Sequence, residues 1–493
     1  MNKKRELTIL ALVILLGAGV VWGGVTASIS GTVTDQSGAV IVGASVIAHN
    51  TETSIDTSTQ TNAAGFYSFP VLPAGKYEVS IKAGGFQEYR QTGLVLDVNT
   101  ALRIDAAMQV GEVTQHVEVA ANSVQVETTA THTGEVISDT KMTTLPLNGR
   151  SYTDLLALQP GVAPASSGEG GGYKVAASLN SGQSSVNGQR EASNGFMVNG
   201  SSAEEKLYNA AAIIPNLDSI AEFRILTSNF DAEYGNYSGG LVNVLTKSGT
   251  NKFHGTAFEF LRNPRLDARN FYSTEKGILH QNQFGGTAGG PILHDKLFFF
   301  TDYQGTRMTN GVDTGLISVP SVADKNGNLA DVASQLTGNV NGNNWANILS
   351  GRLGYPVTNG EPYYTPGCTT SAQCVFPNAA IPQSAFSTPS KYLLQYIPDP
   401  NNGPYFTSSA HKETLRDDKA SARIDVNTRY GLIAGYFFID DYVHLNPYGG
   451  GNLPGFDSSD NGRAIMVNVS DTKSFGATAV NELRLHYMRN VPF

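Results

Sequence analysis

Seven segments in the second half of this 493-residue chain alternate apolar with polar side chains, and they constrain the fold more than any other feature. They lie at 253–262, 281–291, 296–307, 418–427, 429–440, 463–471 and 475–489. In one, Ala420, Ala422, Ile424 and Val426 alternate with Ser421, Arg423, Asp425 and Asn427. In another, Leu297, Phe299, Thr301 and Tyr303 alternate with Phe298, Phe300, Asp302 and Gln304. Period two sends successive side chains to opposite faces of a strand. Strands of about ten residues with one apolar face are what a membrane-spanning sheet needs, and in lipid such a sheet must close on itself. A large soluble sandwich with buried aromatics shows the same alternation. Composition agrees with β structure of either kind. Charged residues are 15% of the chain and glycines number 53, against a usual charged share of about 25% and a glycine share of about 7%.

Several classes of function are excluded at once. The net charge of −9 leaves no basic face for displacing counterions, so no nucleic-acid partner is expected. One apolar segment is long enough to be considered as a helix in a membrane. It follows Lys3, Lys4 and Arg5, is uncharged from Leu7 to Ala27, and ends in the small-residue run Val25-Thr26-Ala27. That order of basic, apolar and small residues predicts a secretory signal over 1–27, the alternative being an uncleaved anchor. Two cysteines rule out a disulfide-built scaffold and a cysteine metal cluster.

After the signal, Tyr77, Val79 and Ile81 alternate with Glu78, Ser80 and Lys82, and Leu102, Ile104, Ala106 and Met108 alternate with Arg103, Asp105 and Ala107. Turn chemistry at Asp35-Gln36-Ser37-Gly38, Pro73-Ala74-Gly75 and Gly84-Gly85 separates about seven such strands, the pattern of a β-sandwich over 28–110. The strings SISGTVTDQSGAVIVGASV and NAAGFYSFPVLPAGKYEVSI resemble the carboxypeptidase regulatory-like domain, a non-catalytic transthyretin-like fold.

A connector over 111–135 carries EVTQHVEVAA, from Glu112 to Ala121. Val113, Gln115, Val117 and Val119 alternate with Thr114, His116 and Glu118, so the segment is able to add itself as a strand to another sheet edge; a plain linker strand is the simpler reading. An α+β region over 136–249 follows. Asn148-Gly149 marks a turn, Ser151 to Asp154 caps a short helix carrying Leu155, Leu156 and Leu158, and Asp218 to Phe223 reads as a second short helix. Arg224–Thr227 and Gly240–Thr246 read as strands.

The strings LPLNGRSYTDLLALQPG, VNGQREASNGFMVNGSSAEE and the long run from Pro215 to Gly255 resemble the plug domain of TonB-dependent outer-membrane receptors, in the Oar-like branch that carries an N-terminal regulatory-like domain. One departure is visible: Asn199-Gly200 stands where an Asp-Gly is expected. The resemblance implies a mainly β architecture, with a transthyretin-like sandwich, an α+β plug and a partial antiparallel transmembrane β-barrel over 250–493. It implies a site in the bacterial outer membrane, with plug and sandwich on the periplasmic side. His116, Val117, Glu118, Val119 and Ala120 become the candidate TonB box, which pairs with a TonB-like energising protein of the inner membrane. Asn148, Gly149 and Arg150 become plug-turn residues; the charge of Arg150 in a turn suggests in addition an ion pair to the barrel wall. The other partners implied are outer-membrane lipid and an extracellular ligand, a siderophore, oligosaccharide or peptide.

Between the third and fourth alternating segments lies a loop over 308–417 that holds ten of the 21 prolines, between Pro320 and Pro404. Proline at that density opposes regular pairing, and a loop this long is usually functional or disordered. Cys368 and Cys374 stand six residues apart and are expected to staple its tip in an exported chain. Its aromatics Trp345, Tyr355, Tyr363 and Tyr364 are expected to pack the loop more than to meet ligand.

No catalytic motif, phosphate loop or metal-ligand spacing is found, so no catalytic residue, cofactor or metal is expected and the chain is not read as an enzyme. The acidic pairs Asp417-Asp418 and Asp440-Asp441 are expected to be solvated charge at strand ends. Seven strands fall short of the roughly 22 of large plugged transporters, so the chain is expected to hold the first third of a barrel; an eight-stranded barrel has no room for a plug. The leading expectation is energy-coupled uptake. The alternative is an adhesion or envelope-organising protein that uses the barrel as an anchor, and a secreted soluble enzyme is a third reading.

Overall fold

The structure, a computed structural model, describes residues 26–111, 116–120, 133–145, 147, 149–164, 184–206, 209–230, 234–269, 276–312, 314–408, 411–447, 457–475 and 479–492. The predicted signal up to Val25, Thr114 and Asn148 lie outside the described residues.

Residues 26–111, with 116–120, form a two-sheet sandwich. One sheet is built on β1 (Thr26–Asp35), flanked by β4 (Phe66–Pro73), β7 (Ala101–Arg103) and β8 (Ala106–Met108). The other runs in the order β3 (Asp56–Gln60), β2 (Ser45–Asn50), β5 (Gly75–Lys82), β6 (Glu88–Leu96) and β9 (His116–Ala120). The alternating apolar positions of both sheets meet in one core that includes Ile29, Val46, Tyr67, Phe69, Val79, Ile81 and Leu94. β1 crosses the centre so closely that a Cβ on Gly31 would lie 1.7 Å from the Ile104 carbonyl oxygen. That oxygen accepts a bond from the Tyr67 hydroxyl at 2.8 Å. Ala27, placed in the signal from sequence, is a core residue at 2% exposure opposite Leu72. The folded unit therefore starts inside the predicted signal boundary.

The second unit, which we call the plug, is a mixed sheet. Its order is β10 (Thr133–Ser138), β15 (Ile220–Ser228), β16 (Leu241–Thr246), β13 (Gly195–Val198) and β14 (Ser201–Ser202). A separate short ladder joins β11 (Val162–Pro164) to β12 (Ser184–Val186). Tyr152–Leu158 forms a 3-10 helix, with the Ser151 hydroxyl at its N-terminus accepting from the Thr153 amide. The helix expected over Asp218 to Phe223 is replaced. Leu217–Ser219 makes a single 3-10 turn, and Ile220 begins β15. The reason is packing: Ile220, Phe223 and Ile225 are all buried in the plug core, and a nine-residue strand between β10 and β16 pairs their backbones.

The third unit is a seven-stranded antiparallel sheet, the wall. In order it contains β17 (His254–Arg262), β18 (Leu279–Leu293), β19 (Leu297–Gly311), β22 (Lys412–Thr428), β23 (Gly431–Asn446), β24 (Ser458–Phe475) and β25 (Ala479–Pro492). Each of the seven alternating segments is one of these strands, and β19, β22, β23 and β24 run well beyond the expected limits. Among the described residues β17 and β25 do not pair with each other, so the sheet is not closed. No helix of the described residues is long and apolar enough to cross a membrane. Short turns at 294–296 and 429–430 and the three residues after Phe475 join the strands at one end, and long connections over 263–278, 312–411 and 447–457 join them at the other.

The 312–411 insertion differs from the expected irregular loop of 308–417. Strand pairing continues to Gly311 and resumes at Lys412, because the alternation of β19 and β22 persists that far. Between them lie helices at Val322–Lys325, Asn343–Leu353 and Thr388–Leu394, a two-residue ladder of β20 (Ile317–Ser318) with β21 (Tyr405–Phe406), and a small core of Val340, Ala346, Leu349, Val357, Val375 and Phe376. Pro366 and Pro404 sit in turns, and Pro377 and Pro389 in the first turns of short helices.

Candidate functional site

The wall turns its buried polar groups toward the plug, among apolar ones such as Phe298, Phe300 and Phe438, and is largely apolar away from it. Gln283, Asp302, Gln304, Asp417, Lys419, Asp425, Asp440 and Asn468 are buried on the inner face. Ile424, Phe437, Val467, Val469, Leu483, Leu485 and Tyr487 are exposed on the outer face. A soluble protein places its apolar residues the other way, whereas a strand between lipid and a polar lumen has this pattern. Near the long connections the outer face turns ionic: Arg307 and Arg416 each lie 2.8 Å from Asp418, and Arg463 lies 3.0 Å from Asp441.

This geometry corrects the reading of the two acidic pairs. Asp418 and Asp441 face outward, but Asp417 and Asp440 are buried on the inner face, at 3% and 0% exposure. Lys419 joins them, its ammonium 3.7 Å from Asp417 and 3.8 Å from Asp440. Adjacent strand residues point to opposite faces, so each pair is divided between lumen and exterior.

Plug and wall meet through polar groups at the tips of plug turns. The Asn216 amide donates to Asp302, which also accepts from the Ser421 hydroxyl. Arg423 donates to the Thr246 carbonyl at 2.8 Å and pairs with Asp425 at 2.9 Å; the Ser248 hydroxyl bonds Asp425 at 2.6 Å. The Asn199-Gly200 turn lies where three wall strands converge. Both residues have positive φ, 49° and 74°, which suits asparagine and glycine. The Asn199 amide donates to the Thr246 hydroxyl at 2.9 Å and its oxygen accepts from the Thr246 N–H at 3.0 Å. Its carbonyl accepts from Asn468 at 3.2 Å, and that of Gly200 from Arg484 at 2.5 Å. An aspartate, expected here from the family, has no donor for the Thr246 hydroxyl. Apolar contact supports the same seat: Tyr436, Phe438, Ala464 and Met466 of the wall share the plug core.

Of the sequence-chosen turn residues, Gly149 and Arg150 line a narrow cleft between plug and wall, together with Asn216, Gln283, Asp417 and Lys419. The Gly149 carbonyl accepts from Gln283 at 3.2 Å. Arg150, at φ 51°, forms its ion pair with Asp218 inside the plug, not with the wall. It reaches the wall through its π-facing guanidinium, 4.4 Å from the Phe258 ring centroid and 4.2 Å from that of Phe260. Asp302, Lys419, Arg423 and Glu222 were not singled out from sequence as site residues. For the three wall residues the signal was a charged residue on the polar register of a strand, which marks a lumen face only once the other register is known to face lipid; Glu222 lies on plug strand β15, where no such pattern singles it out.

His116–Ala120 forms β9, which pairs in parallel with β6 from Glu88↔His116 to Thr92↔Ala120. Cys368 and Cys374 are joined in a disulfide, and their segment packs beside the insertion core. Trp345 donates to the Tyr363 hydroxyl at 2.9 Å, Tyr363 stacks on Phe376, and Tyr355 bonds the Val375 carbonyl at 2.5 Å, so these aromatics pack the insertion. Tyr392, Tyr396 and Tyr405 are the tyrosines that the insertion exposes most among its described residues.

The sandwich lies at the short-turn end of the wall. The Asn251 backbone N–H, next to the 294–296 turn, donates to the Glu52 carbonyl at 3.0 Å. Plug strand β15 grips the loop after β6: Arg224 donates to the carbonyls of Val98 and Asn99 at 3.1 and 3.2 Å, and the Glu222 carboxyl accepts from the Val98 N–H. Burial, with Asp97 adding its charge, pushes the Glu222 carboxyl up to about 8 from its ordinary 4.5. The folded protein therefore holds that proton more tightly than the unfolded chain does. The stability from this group is complete below pH 4.5 and is lost as the pH rises through about 8. Protection of the Val98 amide, measured by hydrogen exchange with intrinsic rates corrected, is expected to fall over that interval and to become flat in Glu222→Gln.

The wall also decides the assignment. Residues 245–493 match the outer membrane beta barrel domain family. The chain belongs to that family. Residues 28–109 of this outer-membrane barrel protein match the carboxypeptidase regulatory-like domain. It is 28% identical over 327 residues to the TonB-dependent transporter Oar of Myxococcus xanthus, across 61% of this chain and 29% of that protein. The barrel protein thus spans less than a third of the length of that curated relative. Among solved structures it is similar to the siderophore receptor PirA from Acinetobacter baumannii, with 14% identity, 72% of this chain and 48% of that one covered, and a TM-score of 0.34. For the outer membrane transporter YddB from Escherichia coli the identity is 10%, the coverage 69% and 37%, and the TM-score 0.38.

Proposed function

We propose that this outer-membrane barrel protein is an energy-coupled transporter of the TonB-dependent type and not an enzyme. The observation that supports this reading most directly is the seating of the plug: a folded unit held against the polar inner wall by the Asn216, Arg423 and Asn199 contacts. A lumen stopped in this way blocks diffusion of a large solute, so passage requires that the plug be rearranged by work from outside the membrane.

In this reading the chain up to Val25 directs export, 26–110 are the sandwich, 111–135 carry the energising segment, 136–249 are the plug and 250–493 belong to the barrel. The short-turn end, with the sandwich, faces the periplasm, and the long connections face outward, the usual arrangement in outer-membrane barrels. The 312–411 insertion receives the ligand from outside; siderophore, oligosaccharide and peptide are the candidate classes. Polar contacts between plug and wall suit a plug that must move, because water entering the interface replaces them at small net cost.

Deleting Thr114 to Ala121 tests the proposal. Uptake of labelled ferric siderophores, oligosaccharides and peptides is expected to fall to background for whichever class the intact protein carries, with the amount in the outer membrane unchanged. Undiminished uptake after the deletion, with envelope defects after loss of 28–110, replaces transport by the anchoring role.

A further inference from the structure

We infer that the sandwich displays the energising segment as the terminal strand of its own sheet, ready to be extended by a strand of the energising protein. The inference rests on the reading of His116 to Ala120 proposed above.

The sheet runs β3-β2-β5-β6-β9, so β9 stands at its edge, and among the described residues its strand pairing is with β6 alone. A strand directs alternate N–H and C=O groups to its two sides. Pairing from Glu88↔His116 to Thr92↔Ala120 uses the side toward β6, and no strand among the described residues takes the other side, which can accept a further one. A five-residue peptide free in solution must be ordered when it binds, at about 1–2 kcal/mol per residue. Held on β6, its backbone is already extended. The partner this edge fits is an extended polypeptide segment recognised mainly through its main chain.

The platform is also fastened to what must move. β6 ends at Leu96, and the next residues form the Asp97 to Asn99 loop that Glu222 and Arg224 of plug strand β15 hold. A partner added to β9 is therefore joined to the plug through β6 and this loop, in addition to the chain that follows Ala120.

The test uses the full chain in detergent with the double substitution Gln91→Cys and Val119→Cys, at positions opposite each other in the register. The probe is the purified periplasmic domain of the TonB-type energising protein, and each substitution alone serves as a control. On mild oxidation an additional disulfide is expected, and the locked protein is expected to bind the probe within about twofold of the parent. Absence of that disulfide overturns the inference, and so does a tenfold or greater loss of binding that dithiothreitol reverses, since β6 then conceals the segment. Deletion of Thr114 to Ala121 separates the two levels. If it leaves binding intact, the functional reading of the segment fails, and this inference with it. If it abolishes binding while locking also does, the display alone is refuted.

Discussion

Lys419→Met is expected to lower the unfolding free energy by about 3–5 kcal/mol, the usual cost of removing one partner from a buried ion pair. Lys419 stands between Asp417 and Asp440, and all three side chains are almost fully buried. Methionine fills the space of the aliphatic stem, so the loss measures the missing charge more than a missing volume. Two carboxylates then face each other without a cation, and each resists burial on its own account. The expected observation is a lower guanidinium midpoint for the protein in detergent micelles, followed by circular dichroism. Asp440→Asn in the same chain is expected to recover part of the loss, because it removes one of the two stranded charges. A midpoint unchanged in Lys419→Met would mean that water reaches this cluster and that its members are solvated.

Arg150→Ala is expected to be of similar size, about 3–5 kcal/mol, with its effect on the plug. Arg150 neutralises Asp218 and places its guanidinium over Phe258 and Phe260 of the first wall strand. Its removal strands Asp218 in the turn that leads to Asn216, the group bonded to Asp302. Limited proteolysis of the membrane-embedded protein is expected to cut the plug at least tenfold faster, while the wall resists as before. Arg150→Lys is expected to rescue little, because an ammonium lacks the planar face that rests on both rings. The pair Arg150→Met with Asp218→Leu is expected to restore much of the resistance, since it leaves no unpaired charge. Equal cutting of parent and Arg150→Ala would show that the plug is not held through this residue.

The wall strands were legible because a sheet between lipid and a polar lumen writes period two directly into the sequence, as from Ala420 to Asn427. The sandwich was legible for the same reason at Tyr77 to Lys82. Misreadings arose where local pattern and tertiary demand disagreed. Asp218 to Phe223 has a helix-like start, but the neighbours β10 and β16 claim its backbone. The proline-rich insertion reads as irregular from local rules, yet a small apolar core around Leu349 and Val375 orders helices within it.

The amino-acid sequence by itself determined which residues alternate and where turns break the strands. It also pointed to a turn at Gly149 and Arg150 and to His116 to Ala120 as an extended segment. Only the tertiary structure decided which register faces the plug, and so placed Asp417 and Asp440 inside while leaving Asp418 and Asp441 outside. It also directed Arg150 to Asp218 and β9 to the edge of β6. The reason is range: periodicity and turn chemistry act within a few residues, whereas burial, charge pairing and edge pairing depend on segments brought together from tens to hundreds of residues away.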